Sequence, residues 1–199
     1  MSRRDRILAA LDPTTPVRLP LPASPRPALN GDPRHVFEQN ARDAKADVLV
    51  LDTMASVPTW VLEHHPQGQL SVAPGLKHLD WTALGRRLSF GATDGDKALA
   101  VSLAGCGIAE IGALAMNSGP QTPTTLNFLP DREIVVLEAR NIVPHLEDAW
   151  TRLRQSDAFL PPRALNLITG PSRTADIEQT IQLGAHGPRS LMILIVNGA

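Results

Sequence analysis

Between Thr169 and Thr174 the chain carries three hydroxyls, Thr169, Ser172 and Thr174, around a single cation, Arg173. That set suits a phosphate or a carboxylate: a guanidinium supplies charge and a planar fork, and hydroxyls add hydrogen bonds. The apolar stretch Leu165–Thr169 reads as a strand, Gly170-Pro171 as a turn, and Arg173–Leu183 as a helix. A helix start there would add unpaired amides to the same corner. A plainer reading uses the same groups. Ser172 or Thr174 caps the helix, while Asp176 and Glu178 complement its dipole.

Glu110 is the second candidate. It stands between Gly107 and Gly112, among apolar stretches. A carboxylate held there could act as a base or accept a ligand hydroxyl. It could equally take backbone amides and hold its loop. Gly112 and Gly170 join the candidate ligand-binding positions, because a glycine lets a ligand or another backbone approach closely. His186, just before Gly187-Pro188, is either a ligand-binding or acid–base group or a cap on the carbonyls ending the preceding helix. His64 and His65 adjoin and so diverge on a helix, which makes them a poor metal pair. No metal site is expected. The spacing of Gly105, Gly107 and Gly112 is not the dinucleotide fingerprint.

These groups need a scaffold. Asp32-Pro33 has the form of an N-cap followed by proline at the first helical position. Val36, Phe37, Ala41 and Ala44 then mark one helical face. Asp47–Leu51 reads as a buried strand, Ser56–His65 as a helix, Gln69–Ala73 as a strand and Asp80–Arg87 as a short helix. Lys97–Ala104 and Ile108–Met116 are apolar stretches around a turn at Gly105-Cys106-Gly107. Glu133–Leu137 is a further strand, and Val143–Gln155 has the spacing of an amphipathic helix. Strand, helix and the apolar run Leu191–Val196 together predict a βαβ unit with parallel strands. The fold class is therefore α/β, with a mainly parallel sheet flanked by helices. Ser2–Leu11 reads as a short helix and Pro13–Pro33 as a proline-rich arm, extended because proline fixes φ and lacks an amide donor. The expected division is residues 1–31 as N-terminal segment and arm, and 32–199 as one folded domain.

Composition narrows the function classes. The chain has 199 residues, a formal net charge of −1 and 43% hydrophobic residues, as an ordinary globular domain does. Without a basic stripe to exchange for counterions, a nucleic-acid role is not expected. The run Leu191–Val196 is far shorter than the ~20 residues of a membrane span, and Ile7–Leu11 is too short for a signal-peptide core, so a cytosolic location is expected. Cys106 is the only cysteine. An iron–sulfur cluster normally takes four thiolates, so this chain does not carry one by itself.

Two segments carry a resemblance. Gly107-Ile108-Ala109-Glu110-Ile111-Gly112-Ala113-Leu114, running on to Asn127-Phe128-Leu129-Pro130, is the first. The second is Ile168 through Glu178, followed by Gly184-Ala185-His186-Gly187-Pro188. Together they resemble the LUD domain family in its lactate-utilisation branch, over roughly Lys97–Asn197. The resemblance implies a fold related to sugar-phosphate isomerases, coenzyme A transferases and the ligase acting on formyltetrahydrofolate. It also implies a place in oxidising lactate to pyruvate, beside partner subunits that hold iron–sulfur clusters. An accessory subunit with an anion pocket is the first expectation. A stand-alone enzyme acting on a phosphorylated or acyl substrate is the alternative, and a regulatory module whose arm binds a partner ranks third. Ile111 departs from the family's usual threonine, and Ser118–Asn127 lacks the basic residue common there.

Overall fold

The structure is a computed structural model that describes residues 3–4, 26–82, 88–94, 99–155, 162–177, 180–183 and 187–198. Its first helix, α1 (Pro33–Asp43), begins as its sequence predicts. Asp32 accepts from the His35 amide, and Pro33 occupies a position whose amide would have been unpaired. Phe37 and Ala41 form its buried side. The chain continues through β1 (Asp47–Thr53), α2 (Ser56–His64), β2 (Leu70–Val72) and β3 (Leu88–Phe90). Next come β4 (Leu99–Leu103), β5 (Cys106–Ile108), β6 (Ala113–Asn117), α3 (Thr125–Phe128) and β7 (Arg132–Glu138). The remainder is β8 (Ile142–Val143), α4 (Leu146–Gln155), β9 (Leu165–Ile168), β10 (Arg173–Ile177), β11 (Thr180–Leu183) and β12 (Ser190–Gly198).

Six strands form one sheet in the order β1-β12-β7-β4-β2-β3, and every pairing in it is parallel. The central strands are apolar on both faces because both are covered. On one face Ile134, Val136, Leu194 and Val196 pack with Val57 and Val61 of α2, and with Leu76 and Trp81. On the other, Val135, Leu137, Ile193 and Ile195 meet Phe37 and Ala41 of α1 and Leu114 and Met116 of β6. Phe37 is fully buried there, which stabilises the fold by about 2–3 kcal/mol over leaving it in water. A four-stranded sheet, β8-β5-β6-β9, lies over that face. Its outer side packs Cys106, Ile108, Ala115 and Val143 of β8 against Ala149 of α4.

Three expectations are corrected. Gly105-Cys106-Gly107 is not a turn: Cys106 and Gly107 belong to β5, and the chain reverses at Ala109–Gly112. Arg173–Leu183 is not a helix but the antiparallel pair β10–β11. The β-branched residues Thr174, Ile177, Thr180 and Ile181 favour extended backbone, and that preference prevails over the helix-like placement of acids. The predicted βαβ unit is consequently absent. β9 pairs antiparallel with β6 in the smaller sheet, while β12 sits between β1 and β7 in the larger one.

Of the proline-rich segment, residues 26–31 are described. Leu29 packs against the inner core, and Arg26 Nη1 stands 2.5 Å from Asp148 Oδ1. The predicted Ser2–Leu11 helix lies largely outside the described residues, as does most of Asp80–Arg87 beyond Thr82. Among the described residues no helix is long and apolar enough to cross a membrane.

Candidate functional site

A cleft of about 500 Å³ opens where β9 leaves the smaller sheet. One wall is the segment from Leu167 through Thr169, Ser172 and Arg173. Asn127 and Phe128 of α3 line it too, together with Ala44 after α1 and Gly187-Pro188 ahead of β12. Ala44 precedes β1, α3 precedes β7, and Pro188 precedes β12, so the cleft lies at the amino ends of the central strands. In open parallel sheets ligands usually sit beyond the carboxyl ends. Thr169, Ser172 and Arg173 thus line a cleft at the opposite end of the sheet from the one the βαβ reading implied.

Backbone geometry builds the wall. Gly170 has φ +72°, and a Cβ there would fall 2.1 Å from the Ala44 carbonyl oxygen. Its lack of a side chain lets the β9 exit lie against the end of α1, so its need for glycine is structural. The Ser172 amide donates to Pro188 O at 2.9 Å, which ties the wall to the segment entering β12. That amide is spent, and without a helix at Arg173 no row of free helical amides faces the cleft. What remains is side-chain chemistry. Arg173 and Thr169 are exposed and Ser172 is half-buried. Among the described residues no acid pairs with Arg173. Phe128 and Leu167 are exposed large apolar groups on the same cleft. A cation, two hydroxyls, a carboxamide and an apolar wall suit a small anion with a short hydrocarbon part.

A second hollow, of about 570 Å³, adjoins the edge strand β1 and is lined by Arg42, Lys45, Asp47, Trp60 and His64 among others. Its larger size does not make it the better site. Arg42 is already engaged, donating to Val48 O at 3.1 Å and standing 3.4 Å from Glu38.

Glu110 and Gly112 do not line the cleft. Glu110 Oε1 accepts from the Leu146 amide at 2.8 Å, and His145 Nδ1 lies 2.8 Å from Oε2. The carboxylate thus anchors the first turn of α4. The hydrogen bond from His145, aided by that from Leu146, holds its pKa below the usual carboxylate range against the opposing effect of burial. Gly112 has φ +61°, and a Cβ there would lie 2.4 Å from Ala41 N and 2.5 Å from the Asn40 carbonyl carbon. Backbone of α1 fills the room that a ligand would need. Thr174 is the second residue of β10, following Arg173, and His186 lies outside the described residues. Ile111 is 44% exposed on the turn before Gly112, away from the cleft.

Sequence reasoning missed three residues here. Asn127 comes from a remote segment and lines the cleft. His145 partners Glu110 across 35 residues of chain, and its only local signal is its place just before a helix. Glu133 is an acid at 1% exposure in β7. An acid directly ahead of the apolar run Ile134–Leu137 was the available clue.

Six parallel strands, helices on both faces and a small second sheet over one of them define an α/β protein with its candidate site at the amino ends of the central strands, beside the exit of β9. The chain belongs to the LUD domain family, whose profile matches residues 95–196. It is 37% identical over 91 residues to an uncharacterized protein of Neisseria meningitidis serogroup B, covering 46% of this chain and 39% of that one. It is 34% identical over 91 residues to lactate utilization protein C of a Geobacillus species, covering 45% and 38%. Lactate utilization protein C of Bacillus subtilis is 33% identical over 92 residues, with the same coverage. The matched region spans about two fifths of these relatives' length, 38–39%. A crystal structure of a DUF162 family protein from Deinococcus radiodurans shares the fold, with a TM-score of 0.61 and 18% identity over 85% of this chain and 99% of that one.

Proposed function

We propose that this chain is a lactate-utilisation LUD domain, acting in the cytosol as an accessory subunit of an iron–sulfur complex that oxidises lactate to pyruvate. Its cleft takes a small carboxylate. The observation that carries the cleft reading is Arg173, which has no acid partner among the described residues and stands with Thr169, Ser172 and Asn127 beside Phe128 and Leu167. A 2-hydroxy acid matches that set group by group. The guanidinium meets its carboxylate, the hydroxyls and carboxamide meet its hydroxyl, and the apolar wall meets its methyl. The pathway is supported by the names of the relatives above. Removing a hydride equivalent and a proton from lactate requires an electron acceptor. A chain with one cysteine supplies no cluster by itself, so the acceptor belongs to partner subunits.

Calorimetric titration with L-lactate tests the cleft. Arg173→Ala removes the one cation of the wall, and affinity should fall at least tenfold, in line with about 1.5–3 kcal/mol for a charged hydrogen-bonded contact. Equal affinity in the variant and the parent contradicts the reading.

A further inference from the structure

Glu133 is the second residue of β7, level with Ala100 of β4 and Leu191 of β12. Its side chain lies at 1% exposure on the face that also holds Ser102 and Val135. Ser102 Oγ donates to Glu133 Oε1 at 2.7 Å, and Asn127 Nδ2 donates to the same oxygen at 3.0 Å. Oε2 is buried with no hydrogen-bond partner. Its register neighbours Ala100 of β4 and Leu191 of β12, and its hydrogen-bond partners Ser102 and Asn127, are all uncharged. Its chain neighbour Arg132 alternates to the opposite face. Among the described residues no cation pairs with it. An ionised carboxylate with one oxygen stranded in this way is costly to hold. The carboxyl is one side chain away from the cleft, since the Asn127 it orients is part of the lining.

We propose that Glu133 is a proton-holding positioning residue for the cleft, so that an anion enters together with one proton, which resides on Glu133. This rests on the cleft reading above. The two hydrogen bonds both end on Oε1, so the proton goes to Oε2, and it comes from solvent. A neutral Glu133 keeps Asn127 in place and adds no negative charge behind the wall. An ionised Glu133 repels the incoming anion through a poorly screened interior. Burial pushes the Glu133 pKa up to about 7, with Ser102 and Asn127 pulling the other way, so the exchange falls in the neutral range.

The test uses the full chain and two probes whose own charge is constant between pH 6 and 8, L-lactate and inorganic sulfate. If only the neutral form binds, Kd should rise about tenfold from pH 6 to pH 8, with uptake of about half a proton per anion at pH 7. Proton uptake is read from calorimetry in buffers of different ionisation enthalpy and needs no variant. Glu133→Gln keeps the shape and an acceptor for Ser102 and Asn127, so it should bind at both pH values with the same Kd. Constant wild-type affinity across this range with no proton uptake overturns the proposal and leaves the cleft standing. So does an unchanged pH slope in E133Q. If neither anion binds at either pH, the cleft reading fails and this proposal fails with it.

Discussion

Replacing Glu110 should weaken the fold and leave the cleft alone. Glu110 Oε1 accepts from the first amide of α4, and Oε2 receives a hydrogen bond from His145. Hydrogen bonds to a charged group contribute about 1.5–3 kcal/mol each when buried. The Glu110 side chain is 33% exposed, so water replaces part of each, and about 1 kcal/mol per bond is the better figure. Glu110→Ala should then cost about 2 kcal/mol, which for a chain of this size lowers Tm by about 4–8 °C. Glu110→Gln keeps an acceptor for Leu146 and loses the charge, so its loss should be about half as large. The pKa of Glu110 is held down in the folded protein, first by the His145 hydrogen bond. The stability it contributes is thus complete above the ordinary glutamate range and fades as pH falls below about 4.5. Scanning calorimetry at pH 7 and pH 4 reads both effects: the gap between parent and Glu110→Gln should be present at the first and shrink at the second. Melting of Glu110→Ala within 1 °C of the parent at pH 7 would refute the anchoring role, and a simultaneous loss of turnover would return Glu110 to the catalytic candidates.

Gly112→Ala forces a Cβ to within 2.4 Å of α1 backbone at a left-handed φ. The strain and the displaced helix should cost about 3 kcal/mol and lower Tm by about 6–12 °C, and an unchanged melt would contradict the close approach. Cys106 is fully buried, and burial pushes its thiol pKa to about 11 against the pull of Arg152. An aromatic disulfide reagent should leave it unmodified in the native protein and label it fully in denaturant; fast native labelling would show that β5 opens. Because the folded pKa of Glu133 is raised, the parent loses stability as pH climbs from about 4.5 toward 7, and Glu133→Gln should not. The variant's melting advantage should therefore grow over that interval, and melting curves that stay parallel would count against a buried, titrating acid.

The parts of the fold legible in sequence are those with local or continuous signals. Asp32-Pro33 states a helix start in two residues, and the unbroken apolar runs in β7 and β12 state strands covered on both faces, whereas the similar run Val48–Leu51, expected as a buried strand, forms the edge strand β1 with none of its residues buried. The smaller sheet was hidden because its strands are short and pair with remote partners, as β6 does with β9. Length and the acids at Asp176 and Glu178 suggested a helix for Arg173–Leu183, where branched residues and pairing gave a hairpin. For the cleft, Arg173, Ser172 and Thr169 were visible as a cluster, while Asn127 enters only through tertiary packing. Periodicity cannot report a pair such as Glu110 and His145, because nothing local couples residues that far apart in the chain.

The most direct measurement is lactate-dependent dye reduction by the iron–sulfur subunits, assayed alone, with this chain, and with its Arg173→Ala form. The account predicts a higher rate with the parent chain and a return toward the unsupplemented rate with the variant, at equal melting temperature. Equal stimulation by both forms, or none by either, would contradict it.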